Sequence, residues 1–90
     1  MDSHVPTITL ITKPGCHLCD LARDVVTRVA DQLSVGFEEK SLPDMTDPDP
    51  ILWEQIPVTY IDGEPHDYWR VSESRLRAEL TERMQQNSQN

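Results

Sequence analysis

The sequence predicts an α/β fold, a mixed four-stranded sheet flanked by helices, and three observations carry that prediction. Thr7-Ile8-Thr9-Leu10-Ile11-Thr12 is a β-branched and apolar run that reads as a strand. Soon after it the apolar spacing becomes three and four, the mark of an amphipathic helix. Further on, Asp62-Gly63 stands between two extended stretches as a hairpin signal.

In order, Lys13-Pro14-Gly15 stops the first strand, because Pro14 cannot donate to a ladder and Gly15 permits a tight turn. Leu18, Leu21, Ala22, Val25, Val26, Val29, Ala30 and Leu33 then form one buried stripe of a helix over residues 17–33. Ser34 and Gly36 end it, with Gly36 expected as the left-handed exit. Val35, Phe37 and Glu39 alternate with polar neighbours in a second strand that ends near Leu42. The acidic loop 43–50 holds three prolines and is expected to form no regular element. Residues 51–55 suit one helical turn, Ile56 is pushed towards an extended conformation by Pro57, and Val58–Ile61 is a third strand. A fourth strand is placed over His66–Arg70, at an edge because of Pro65. Ser72 is the N-cap of a last helix over 73–84, where Leu76, Leu80 and Met84 repeat and Glu79 meets Arg83 at i,i+4. The β–α–β start requires a right-handed crossover between parallel strands. Residues 1–84 are read as a single domain and 85–90 as a frayed polar tail.

Composition narrows the function. Ninety residues with 37% hydrophobic and 27% charged side chains make one ordinary small domain. Sixteen acidic against eight basic side chains leave a formal net charge of −8, which repels phosphate backbones and anionic lipid. No apolar run approaches a membrane span, and Met1-Asp2-Ser3-His4 lacks the marks of a signal peptide. A cytoplasmic monomer without nucleic-acid or membrane partners is expected. Structural disulfides are rare in that compartment, so the two cysteines, three residues apart, are the informative feature.

Cys16 falls where the first helix begins, and Cys19 lies one turn along the same face. Unpaired N–H groups and the macrodipole stabilise an anion at that place, so Cys16 is expected to ionise readily. Lys13 adds a positive charge, and His17 adds a partial one. Cys16 would attack a substrate disulfide and Cys19 would resolve the mixed disulfide. Two other readings stay open. Cys16, His17 and Cys19, with His66 or His4, could hold zinc or an iron–sulfur cluster, although a second ligand pair is missing. The pair could also be purely structural, in an interaction domain whose acidic loop meets a basic partner. Pro57 is either a plain strand-leading proline or a cis-proline that leaves the Ile56 backbone open to an extended substrate chain.

Thr12-Lys13-Pro14-Gly15-Cys16-His17-Leu18-Cys19 resembles the active-site stretch of the glutaredoxin-like branch of the thioredoxin superfamily. Ile56-Pro57-Val58, followed by Tyr60-Ile61-Asp62-Gly63, resembles that superfamily's cis-proline strand and hairpin. The agreement runs from about Thr7 to Leu80. It implies a thioredoxin-like (glutaredoxin-like) fold, Cys16 as nucleophile, Cys19 as resolving thiol and Pro57 in cis. It also implies no resident metal or cofactor beyond the redox-active disulfide. The partners implied are disulfide-containing proteins or small thiols, with glutathione or a thioredoxin reductase as reductant. The sequence departs from typical glutaredoxins in two places. His17-Leu18 replaces the proline and aromatic between the cysteines, and Trp69-Arg70-Val71-Ser72 replaces a glycine pair that holds glutathione. No glutathione subsite is therefore carried over there. The short, proline-rich stretch before Pro57 also implies that one helix of the standard fold is reduced or missing.

Trp53, Tyr60, Tyr68 and Trp69 are assigned to core or hairpin packing. Arg70 is read as a solvated strand-end charge, against the alternative of holding a carboxylate near the active site; Asp44–Asp49 is read as a solvated loop without a calcium ligand pattern, and His4 and His66 as surface residues.

Overall fold

A computed structural model describes residues 5–88, with the side chains of 86–88 outside that description. The elements are β1 (Thr7–Thr12), α1 (His17–Leu33), β2 (Gly36–Ser41), a 3-10 turn (Leu42–Asp44), α2 (Leu52–Gln55), β3 (Val58–Ile61), β4 (Glu64–Tyr68) and α3 (Glu73–Ser88). The strands form one sheet in the order β2-β1-β3-β4, with β1 and β2 parallel and the other two pairings antiparallel. In this register the end of β1, the start of β3 and the end of β4 share one end of the sheet, since Ile11 pairs with Val58 and Val58 with Tyr68. Every connection that carries chemistry meets there.

The main core lies between the sheet and helices α1 and α3. Ile8, Val26, Val29, Ile61, Leu76 and Leu80 are almost fully buried within it. A second cluster of Ile11, Cys19, Leu42, Leu52, Ile56 and Val58 closes the end of the sheet where β1 gives way to α1. α2 has four residues, so the other face of the sheet is left largely open around Thr7, Thr9, Glu38, Lys40 and Tyr60. The reduced helix implied by the resemblance is thus a feature of the fold.

Several expectations are corrected. The left-handed residue after α1 is Ser34 (φ 57°), whose N–H returns to the Ala30 carbonyl. Gly36 belongs to β2, and its lack of a Cβ serves close approach instead: a Cβ there would meet Thr7 Oγ1 at 3.1 Å. The proline loop does hold a short 3-10 turn, because Pro43 occupies the first turn, where its missing N–H has no partner to lose. β4 begins two residues earlier than predicted. Asp62 and Gly63 both take positive φ (53° and 82°), so pairing resumes at once with Ile61 opposite Glu64. A register shift at Thr59/Tyr60 accommodates Pro65 on this edge strand. Trp69, at φ 61°, then ends it before Arg70. α3 runs through Ser88, past the predicted end at Met84, since Glu82–Gln86 holds good helix formers and neither Gly nor Pro. Residues 89–90, like His4, lie outside the described residues.

Burial also differs from periodicity in places. Leu21, assigned to the buried stripe of α1, is 50% exposed. Trp53, Tyr68 and Trp69 are exposed rather than core, with Tyr68 and Trp69 packed edge to face at 6.5 Å. His66 is half-buried, its Nε2 enclosed and without a partner among the described residues, and burial lowers its pKa. No helix among the described residues is long and apolar enough to cross a membrane.

Candidate active site

Cys16 is the N-cap of α1. Its backbone is extended (φ −102°, ψ 111°) and its sulfur accepts the Cys19 backbone N–H at 3.2 Å. A sulfur thus occupies the place usually filled by a Ser or Asp oxygen. Pro14 and Gly15 bring the chain off β1 into this cap, Gly15 at φ 72° with open space around it. Cys16 is partly exposed, whereas Cys19 is fully buried, and both are free thiols. Burial and the hydrogen bond with the Cys16 side chain push the Cys19 thiol up to about 11, partly offset by the Lys13 backbone N–H and the Arg23 charge.

The structure brings Cys16, Cys19 and Ile56 into one cluster. The Ile56–Pro57 bond is cis and Pro57 is buried. Only part of the Ile56 backbone is open, however. Its N–H donates to the Leu52 carbonyl at 3.1 Å, while its carbonyl accepts no loop or turn hydrogen bond among the described residues. The side chains of Lys13 and His17 are exposed and make no hydrogen bond to Cys16 among the described residues. The Lys13 backbone N–H favours the Cys19 thiolate. Among the described residues, no three His, Cys, Asp or Glu side chains gather as a metal-ligand set. His66 lines a different cavity with Glu79 and Arg83.

Two features escaped the sequence reading. The first is a clamp beneath the cysteine helix. Arg23 of α1 donates to Glu39 of β2 through two bonds of 2.6 and 2.7 Å and to Asp20 at 2.8 Å, while Thr12 Oγ1 donates to Glu39 at 2.8 Å. Arg23 holds the Glu39 carboxyl below its usual range. The only local signal was the alternation that places Glu39 on the helix side of β2. The second is Trp69. Its backbone N–H donates to the Gln55 carbonyl at 3.1 Å and its indole N–H to the Glu54 carbonyl at 2.8 Å. These bonds satisfy the open carbonyls of α2 and fasten the end of β4 beside Ile56.

The fold and the site together define a thioredoxin-like protein that carries a reduced Cys-x-x-Cys at the N-terminus of its first helix. Residues 7–81 match the family described as Glutaredoxin-like domain (DUF836), and the chain belongs to that family. It is similar to the uncharacterized proteins Mb0520 of Mycobacterium bovis and Rv0508 of Mycobacterium tuberculosis. It is 33% identical to each, over 83% of this chain and 82% of each relative.

Proposed function

We propose that this chain is a thiol–disulfide oxidoreductase that reduces protein or low-molecular-weight disulfides through Cys16 and Cys19. The observation that carries the reading is the pairing of a partly exposed Cys16, its sulfur held by a backbone N–H at 3.2 Å, with a second, buried cysteine one helical turn on. That N–H stabilises negative charge on the Cys16 sulfur, together with the other open donors of the helix start.

The Cys16 thiolate attacks one sulfur of the substrate disulfide. The substrate S–S bond breaks, one half leaves as a thiolate that takes up a proton, and a mixed disulfide forms at Cys16. Cys19 then loses its proton and attacks the Cys16 sulfur, releasing the second substrate thiol. Two electrons have passed to the substrate, and the chain holds a Cys16–Cys19 disulfide. The timing of the second step follows from the causes acting on Cys19. After burial, the largest influence raising its pKa is the Cys16 thiol itself, and this vanishes once that sulfur is bonded. The Lys13 N–H and Arg23, which favour the Cys19 thiolate, stay in place. Glutathione or a thioredoxin reductase then restores the dithiol in a reducing compartment such as the cytoplasm. Ile56 offers its carbonyl to the substrate backbone.

The test is reduction of hydroxyethyl disulfide and of insulin by wild type, Cys16→Ser and Cys19→Ser. Cys16→Ser should be inactive, and Cys19→Ser should accumulate a mixed disulfide visible by mass. Equal rates for wild type and Cys16→Ser overturn the reading.

A further inference from the structure

β4 carries a bulge, and His66 is its extra residue. Thr59 stands opposite Asp67 and Tyr60 opposite Pro65, so no residue of β3 faces His66. The histidine lines a cavity of about 430 Å³ between β4 and α3, together with Ile61, Glu64, Pro65, Glu79 and Arg83. Its Nε2 is enclosed there and has no hydrogen-bond partner among the described residues. A neutral imidazole protonated at Nδ1 suits that enclosure, because Nε2 then presents only a lone pair. A second proton would put a charged N–H at Nε2, where an unanswered donor is costly.

The charges around the ring are already engaged with one another. Asp67 of β4 accepts from Arg75 of α3 at 3.3 Å. Arg83 of α3 donates to Glu79 at 2.7 Å, to Glu64 of β4, and to Asp62 of the β3–β4 turn at 3.4 Å. The attraction of Asp67 and Glu79 for an imidazolium is thus opposed by Arg75 and Arg83, and burial prevails, holding the His66 pKa below its ordinary value. Two carboxylates line the cavity. Glu64 has a side chain 67% exposed, whereas Glu79 acts on the ring directly. Glu79 is therefore the acceptor that a protonated ring would recruit, and it is the one Arg83 now uses.

We propose that His66 and Glu79 form a pH-sensitive latch between β4 and α3: on mild acidification a second proton on the His66 ring draws the Glu79 carboxylate from Arg83 to Nε2, and the end of α3 that Arg83 holds to the β3–β4 turn loosens. The latch is independent of the cysteine chemistry. Its direction follows from the lowered pKa. The open, solvated form takes up the proton at the ordinary value of 6.5, before the closed form does. The stabilisation is complete above that value and is lost as pH falls through the value of the closed form. This window begins above the range in which ordinary carboxylates titrate.

Two measurements on the full chain test the latch. The imidazole C–H resonances are followed by NMR between about pH 8 and 5, with amide hydrogen exchange of Glu79–Arg83 measured over the same interval and corrected for intrinsic rates. His66 should titrate below the ordinary histidine range, and protection of those amides should fall several-fold as it does. In His66→Gln, which has no titrating ring, protection should stay level. In Glu79→Gln the ring has no carboxylate to recruit, so His66 should titrate lower still and the step in protection should vanish. An ordinary midpoint for His66, or protection unchanged while His66 titrates, overturns the proposal. So does an equal fall in His66→Gln. The wild-type curves decide the matter even where a variant does not fold.

Discussion

The Cys19 backbone N–H donates to the Cys16 sulfur at 3.2 Å while the Cys19 thiol lies fully buried behind it. One residue therefore serves its neighbour twice, once through the main chain and once through the side chain. The two roles separate by mutation, because any substitution except proline at 19 keeps the donor. Four predictions follow from this site and its supports.

Cys19 should make the protein sensitive to alkali. Its thiol is raised from 9.0 to about 11 in the fold, so the unfolded chain releases this proton first as pH rises. The stabilisation from keeping the thiol neutral is complete below pH 9 and is lost as pH rises towards 11. Urea unfolding of wild type against Cys19→Ala should show wild type losing about 2 kcal/mol more between roughly pH 8 and 10.5. Equal losses would show that burial does not govern this thiol.

The Arg23–Glu39 clamp should matter for stability and for the cysteine helix. Glu39→Gln keeps the shape but removes the charge that accepts both guanidinium bonds, and is expected to cost about 1–2 kcal/mol. The Glu39 carboxyl is held low, so its contribution is full above the usual carboxylate range and fades as pH falls through its folded value. The Glu39→Gln penalty, measured by urea unfolding at pH 7 and again near pH 3, should shrink at the lower pH.

Glu73 ties α3 to α1 by accepting from both Arg28 and Arg77, the latter also bonded to Gln32. These arginines hold its carboxyl at about 2. Its stabilising effect is present above pH 4.5 and is lost as pH falls towards 2. In acid melts followed by circular dichroism, Glu73→Gln should lose less stability than wild type between pH 5 and 2.5.

Trp69→Phe keeps an aromatic ring but deletes the indole N–H that serves Glu54. Loss of that bond is expected to lower stability by about 1 kcal/mol in urea unfolding.

Much of this architecture is legible in local sequence. β1, α1 and β3 have the predicted bounds because Thr7–Thr12, the α1 stripe and Val58–Ile61 are bracketed by turn or proline signals. Cys16 and Cys19 could be read as cap and first turn from spacing alone. What escaped depends on neighbours distant in sequence. Whether Ser34 or Gly36 turns left-handed is decided by the close approach of β2 to Thr7. The exposure of Leu21 and Trp69 depends on what α2 and the β4–α3 connection leave uncovered. Arg23 and Glu39 lie sixteen residues apart, and no periodicity joins them.

The clamp has a further bearing on the reaction cycle. None of Thr12, Asp20, Arg23 and Glu39 is a cysteine, and their bonds bind helix to sheet without involving either sulfur. In the exchange proposed above, electrons would come and go at one corner of the molecule without slackening its frame.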